Sequence, residues 1–503
     1  MSTPGELDGL LGANKIKLND IPHDITMTNP PPPDSLLIRG ATVLTVDPKI
    51  GNLENCDILI KNDRIAAIGQ SLPDPEGDAT IIDARGCIVT PGLVDGHHHM
   101  WQQFLRGIAV DWSLFDYMVS MRSIFGSLFT AEDVYLANYV AALSLINNGI
   151  TTVLDHSHIM NSPEHSDAAV RGLKDAGIRG TFCYGFYPNP PLPGSDEQAG
   201  VSDFYRLEDA ARVREKFFGS NDPAEEVLTF GTAPNEPEAQ SLEETILEIQ
   251  QSRGLGARLI TMHVAIGHFD LAHRHIVQGL ADAGTLGPDL VFSHGGSFTE
   301  NEFEAIKTSG ASIVSTPDTE LQMGMGYPVA FPASDKGCRA CLGIDITSNQ
   351  GNDFIAQMRL ALQARRAQEN EMAFPLTINR KTADVLRMGT LGGAEVMRLE
   401  DLVGSITVGK KADLVMFRCD DIETEPVGDP VGAVVFHSSV KHIDTVIIDG
   451  KIRKRHGKLE ADWETLREEV VRRANRIKAD AAKFDLAAAR EKWLALFGIK
   501  DTQ

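Results

Sequence analysis

A chain of 503 residues, 42% of them hydrophobic, can bury a large core and still build a second domain. Its 70 acidic against 47 basic residues leave a formal charge of −23, which argues against nucleic acid or an anionic membrane as partner. There is no run of about 18 apolar residues to span a membrane, and six cysteines in so long a chain do not form a disulfide framework, so a reducing cytoplasm is expected.

In chain order, residues 1–34 carry Asn29 followed by Pro30 to Pro33 and lack apolar periodicity, which predicts an extended arm. The opening MSTPGELDGL has neither the basic region nor the apolar stretch of a signal peptide. Residues 35–87 hold strand-like pieces, SLLIRGATVLTV, CDILIKNDRIAAIG and ATIIDARG. Residues 404–455 hold matching ones, GSITVGKKADLVMF, GAVVFH and HIDTVIIDGKIRKRHG. Both segments alternate and break at Gly or Asp turns, so a small β-sandwich built from both chain ends is expected.

Between them, residues 88–403 read as a unit of alternating strand and helix. Eight apolar runs fall at 88–94, 151–155, 179–185, 227–232, 258–263, 290–294, 311–316 and 341–345. Thr130-Ala-Glu-Asp133, Ser241-Leu-Glu-Glu244 and Thr299-Glu-Asn-Glu302 have the form of capping boxes. Gly149, Gly177 and Gly310 stand where a helix must stop in a left-handed residue. Eight such units favour closure into a (β/α)8 TIM-like barrel, although a doubly wound open sheet fits the same alternation. The last segment, 456–503, is helical in composition, with amphipathic spacing over 461–497.

Five polar residues stand at the ends of these apolar runs: His97, His99, His263, His294 and Asp345. In a parallel barrel the C-terminal strand ends meet at one mouth, where the chemistry sits. Residues i and i+2 of a strand share a face, so His97 and His99 point inward together while His98 faces away. Four imidazoles and a carboxylate at one mouth describe a catalytic metal site.

The chain resembles the amidohydrolase superfamily, within it the branch of cytosine and guanine deaminases and triazine hydrolases. The resemblance rests on PGLVDGHHHM after the first sandwich piece and GSITVGKKADLVMF opening the second. The segment from His97 to Gly107 matches that branch's HxH…LLRG pattern, SHGGSFTENEF its AHC…LTEEEI segment and GIDITSNQGND its GTD…SNN segment. Residues 35–455 are covered.

With that resemblance, His97, His99, His263 and Asp345 are the expected ligands of one divalent metal. The nitrogen-rich set suits zinc first and iron second. No lysine presents itself as a carbamylated bridge to a second ion. Asp345 is expected both to approach the metal and to accept the proton of the attacking water. His294, like its counterpart in the family, would orient the nucleophile or polarise the attacked atom.

One departure matters. The deaminases of this branch place a Glu three residues after the third metal histidine, where it carries a proton to the ring. Here His263 is followed by Val-Ala-Ile266, and Ile cannot transfer a proton. His268, the His156 and His158 pair, Asp318 and Glu320 are the nearby substitutes.

Trp101 and Phe104 either wall a heterocyclic substrate or fill the core. Arg106 either binds an anionic substituent or pairs structurally, and Met323 and Met325 line a loop by the mouth. Cys338 and Cys341 form a lone CxxC, read as two buried thiols.

The expected activity is metal-dependent hydrolysis of a carbon–nitrogen bond in a small molecule, by deamination of an amino-substituted heterocycle or opening of a cyclic amide. The alternatives are removal of chloride or an alkylamine from an aromatic ring, or an inactive structural homologue. A homo-oligomer, dimer or tetramer, is expected.

Overall fold

The computed structural model describes residues 35–77, 79–189, 206–372 and 376–497, so the expected N-terminal arm lies outside the described residues. Strands β1 to β5 run over Ser35–Leu44, Asn52–Lys61, Arg64–Gly69, Ala79–Asp83 and Cys87–Pro91. β6 to β9 cover Leu93–His98, Ile150–Ser157, Arg179–Gly185 and Leu228–Ala233, and β10 to β13 cover Ile260–Val264, Leu290–His294, Ser312–Ser315 and Arg339–Leu342. The last four, β14 to β17, are Leu414–Arg418, Ile443–Ile448, Lys451–Arg455 and Lys458–Leu459.

β6 to β13 form an eight-stranded sheet in sequence order, every neighbouring pair parallel. Most of these strands are buried throughout, as their continuous apolar runs require. The sheet curls until its two edges meet. Asp345 N donates to His97 O at 2.9 Å and His99 N to Asp345 O at 2.8 Å. Gly343 makes this approach possible, because a Cβ there would lie 2.9 Å from the carbonyl oxygen of His97.

Thr130, Ser241 and Thr299 all form reciprocal capping boxes. Gly149, Gly177 and Gly310 take the left-handed conformation, at φ of 80°, 70° and 74°.

The strands from the two chain ends belong to one nine-stranded sheet. The two halves join where β5 pairs antiparallel with β14, from Cys87 opposite Arg418 to Pro91 opposite Leu414. One apolar core, including Ile38, Ile58, Ile82, Val89, Leu414 and Ile447, unites both halves. Arg179, fully buried at the start of β8, ties sheet and barrel together. It donates to Asp413 at 2.8 and 3.1 Å and to Asp449 at 2.9 Å.

Three local expectations need correction. The apolar run 88–94 is two strands in two sheets, divided at Gly92, where Thr151 occupies the space a side chain would need. An apolar run records burial and says nothing about which sheet does the burying. The eighth strand ends at Leu342, so Asp345 stands three residues past it, in an isolated parallel bridge to His98, with φ of 75°. GAVVFH is helical, because Asp429 caps Val431 N and Gly432 N and Pro430 takes the first helical position. The C-terminal segment, read as helical, is helical from Trp463, in two helices, Trp463–Ala481 and Leu486–Phe497. Between them the Asp485 carboxylate accepts from the backbone of Ala487 and Ala488 and starts the second. Among the described residues no helix is long and apolar enough to cross a membrane.

Candidate metal centre

His97 and His99 leave the end of β6 on one side, and His98 turns away to meet Asp95 Oδ2 with its Nδ1 at 2.9 Å. His263 comes from β10, His294 from the end of β11, and Asp345 from the closing seam. Their side chains converge. Nε2 of His97 lies 3.3 Å from Nε2 of His263 and 3.3 Å from Asp345 Oδ1, and Nε2 of His99 lies 3.4 Å from that same oxygen. The rings of His263 and His294 stack with centres 5.5 Å apart. His97, His99 and Asp345 form one group with ligand atoms within 4.8 Å of one another, and His97, His263 and His294 form a second.

The other face of each ring is held from behind. His99 Nδ1 donates to the carbonyl of His156 at 2.7 Å. His263 Nδ1 donates to both oxygens of Glu236, at 3.0 and 3.1 Å. A carbonyl and a carboxylate only accept, so these two rings carry their protons on Nδ1 and present Nε2 lone pairs inward. His97 Nδ1 lies 2.8 Å from Ser293 Oγ, a group able to play either part.

Burial holds the imidazole of His97 down to about 4 and that of His99 well below its ordinary value. Burial pushes the Asp345 carboxyl upward, but the hydrogen bond and charge from His97, then the charges of His99 and His294, hold it well below the carboxylate range. Imidazole lone pairs crowded against an ionised carboxylate repel one another unless a cation lies among them. The donor set therefore fits a divalent metal, and its nitrogen-rich composition suits zinc or iron better than magnesium. Carboxylate and carbonyl partners behind the ligating rings are the usual support of such a site.

His294 is held differently. Its Nδ1 faces Thr316 Oγ1 at 3.2 Å and Glu320 Oε1 at 3.5 Å. Burial opposes its charged form, yet the Glu320 hydrogen bond, with Asp345 near, raises it overall. Both His294 and Asp345 have left-handed backbone, with φ of 77° and 75°. Non-glycine residues rarely adopt it, and such strain collects at functional sites.

The other sequence candidates divide into two groups. Trp101 is fully buried and donates from Nε1 to His158 Nδ1 at 2.9 Å. His158 stacks on His99 at 4.0 Å between ring centres, and His156 on His263 at 4.3 Å. Glu320 is buried and accepts from Ser315 Oγ and Thr316 N, which places it behind His294. These residues join the cluster.

Phe104 packs on Phe129 in the core. Arg106 is exposed and donates to Ser144 Oγ. Asp318 is engaged with Gln357, and Cys338 and Cys341 are buried free thiols. His268 is exposed and lines a cavity of about 650 Å³ with Leu271, Phe298, Tyr327 and Gly295, the residue after His294. Among the described residues, none of these candidates makes a hydrogen bond or ring contact with the clustered side chains.

Sequence reasoning missed Glu236, Tyr187 and Arg122. Glu236 lies three residues past the end of β9, so the strand-end rule that found the histidines would have found it with a slightly longer reach. Tyr187, two residues past β8, places its hydroxyl 2.9 Å from His156 Nε2.

The family model described as the amidohydrolase family matches residues 88–453. The chain is 26% identical over 422 residues to a 5'-deoxyadenosine deaminase of Methanosarcina barkeri, covering 83% of this chain and 92% of that one. It is 27% identical over 426 residues to a 5-methylthioadenosine/S-adenosylhomocysteine deaminase of Thermoanaerobacter pseudethanolicus, covering 83% and 93%. Among solved structures, an adenosine deaminase from Xanthomonas campestris with bound zinc superposes with a TM-score of 0.76 at 22% identity, over 90% of this chain and all of that one.

Proposed function

This chain belongs to the amidohydrolase family, and on that premise we propose that it is a metal-dependent hydrolase that deaminates an amino-substituted heterocycle. The observation that carries the reading is the meeting of inward-facing imidazole nitrogens with one ionised carboxylate oxygen, at 3.3 to 3.4 Å. The deaminase names of the similar proteins support the reaction class.

His97, His99, His263 and Asp345 would hold one divalent ion, zinc first and iron second. Such an ion lowers the pKa of a coordinated water toward about 7 and so provides a nucleophile at neutral pH. Asp345, ionised and buried, accepts a proton at its carboxylate. Glu236 fixes the Nδ1–H tautomer of His263, and the His156 carbonyl does the same for His99. Trp101 Nε1–H is a donor only, so neutral His158 accepts at Nδ1 and carries its own proton on Nε2. Ile266 makes the position of the missing acid apolar, and the proton for the leaving amine is assigned to His294, whose imidazolium is favoured by Glu320.

The test is metal analysis of the purified chain, followed by an ammonia-release screen of 5'-deoxyadenosine, 5'-methylthioadenosine, adenosine, guanine and cytosine. Guanine and cytosine are expected to be poor substrates, because Ile266 stands where their deaminases hold a proton carrier. About one equivalent of zinc or iron per chain, with release from an amino-heterocycle that stops on chelation, is the expected result. A fully metal-loaded chain that releases ammonia from no amino-heterocycle would overturn the reaction assignment. A chain that binds no divalent metal would overturn the site.

A further inference from the structure

Arg122 sits on the excursion that follows the first barrel strand. The short helix Leu114–Tyr117, started by a Ser113 and Asp116 capping box, runs without a break into a π-helical turn, Met118–Arg122. Such turns are uncommon in proteins and occur frequently at functional sites. This one ends in an arginine only 8% exposed.

The Arg122 guanidinium lies 4.6 Å from the ring centre of Tyr187. The Tyr187 hydroxyl meets His156, and His156 stacks on His263. Its positive charge also acts on Glu236, His156 and His158. Arg122 therefore lies beside the histidine cluster, one ring removed from it.

The charge of Arg122 acts on Glu236, but among the described residues it forms no ion pair. Its buried Nη1 has no hydrogen-bond partner. The nearby acids are engaged elsewhere, Glu236 with His263, Asp345 with His97 and His99, and Glu320 with Ser315 and Thr316. Buried Arg179, in contrast, holds two aspartates. In a chain with 70 acidic residues, a buried guanidinium without an ion pair is not explained by a shortage of partners. Burying a charge alone is unfavourable, and an anion brought by a ligand relieves it. The planar guanidinium fork matches a carboxylate in two parallel hydrogen bonds.

We propose that Arg122 is the receptor for a carboxylate carried by the substrate. The inference rests on the reading of the histidine cluster as the catalytic centre. It narrows the substrate to an amino-substituted heterocycle bearing a carboxylate, with the ring presented to the histidines and the anion to Arg122.

The experiment is calorimetric titration of the metal-loaded full chain with benzoate and with benzamide, ring probes of the same shape that differ in charge. Benzoate is expected to bind at least about tenfold more tightly, and Arg122→Met is expected to erase that preference while metal content stays the same. Equal binding of the two probes by the unmodified chain overturns the proposal. So does a preference that survives in Arg122→Met, because benzoate is then held by another group. If Arg122→Met does not fold, Arg122→Lys decides: benzoate should weaken at least threefold with benzamide unchanged, and undiminished benzoate binding overturns the proposal. These readouts do not depend on turnover. Failure here leaves the metal and ammonia measurements standing, and their failure leaves the binding result readable.

Discussion

The two best-defined second partners of the cluster are both glutamates, and they do opposite things. Glu236 accepts from His263 Nδ1 and so keeps Nε2 free as a proposed ligand, whereas Glu320 stands behind His294 and favours its charged form. Two substitutions should therefore separate. His294→Ala is expected to keep nearly all bound metal and lose two or more orders of magnitude in turnover, the scale of a positioned acid or electrophilic group. Glu236→Gln is expected to weaken metal retention about 10- to 100-fold, as loss of a ligand's supporting carboxylate does. Metal titration beside steady-state kinetics checks both, and metal lost in step with activity in His294→Ala would make His294 a ligand. The proposed ligands were legible in the sequence because each closes an apolar run. Arg122 was not, because the apolar spacing around it, Leu114, Met118, Met121 and Phe125, reads as core and does not single out one arginine within it.

At the scale of elements, local signals with a mechanism were the dependable ones. The capping boxes and left-handed glycines name a hydrogen bond or a backbone angle, and the structure contains each of them. GAVVFH carried only β-branched and apolar character, and the Asp429-Pro430 start before it outweighed that character. β16 contributes a pH dependence. Lys454 is buried, donates to Asn147 O at 2.8 Å, and is pushed by burial from 10.5 down to about 8. Below pH 8 both folded and unfolded chains bind this proton, and folding carries the whole burden of a buried ammonium. Between pH 8 and 10.5 the folded chain releases the proton first, so stability from this group rises with pH, by on the order of 3 kcal/mol in all. Denaturant melts of the unmodified chain and Lys454→Met should therefore diverge in favour of the unmodified chain between pH 8 and 10. A constant difference over that range would show that Lys454 carries no such burden.

For the whole molecule, Arg179 is the joint. It stands at the N-terminal end of its strand, on the face of the barrel away from the histidines, and binds Asp413 and Asp449 of the sheet. That face of a barrel serves stability, and the opposite face serves chemistry. Removing one side of a buried charge network leaves the other uncompensated, so Arg179→Met is expected to destabilise the chain by about 3 to 5 kcal/mol. Metal content and turnover per folded molecule should stay unchanged, and altered metal affinity would show that the joint extends to the site. The barrel was legible from its eight runs. That both chain ends build one β-domain was legible from their matching strand-like segments, but their joining into one continuous sheet was not, because pairing between residues some 300 positions apart leaves no local trace.

That pairing has a consequence for synthesis. β5 emerges from the ribosome more than 300 residues before β14, the strand that covers its edge. At roughly 5 to 20 residues per second, its free edge waits on the order of a quarter to a full minute. An uncovered, apolar strand edge invites pairing with another chain. Nascent chains halted before residue 414 should therefore depend on chaperones and aggregate without them, whereas chains halted after β15 should not.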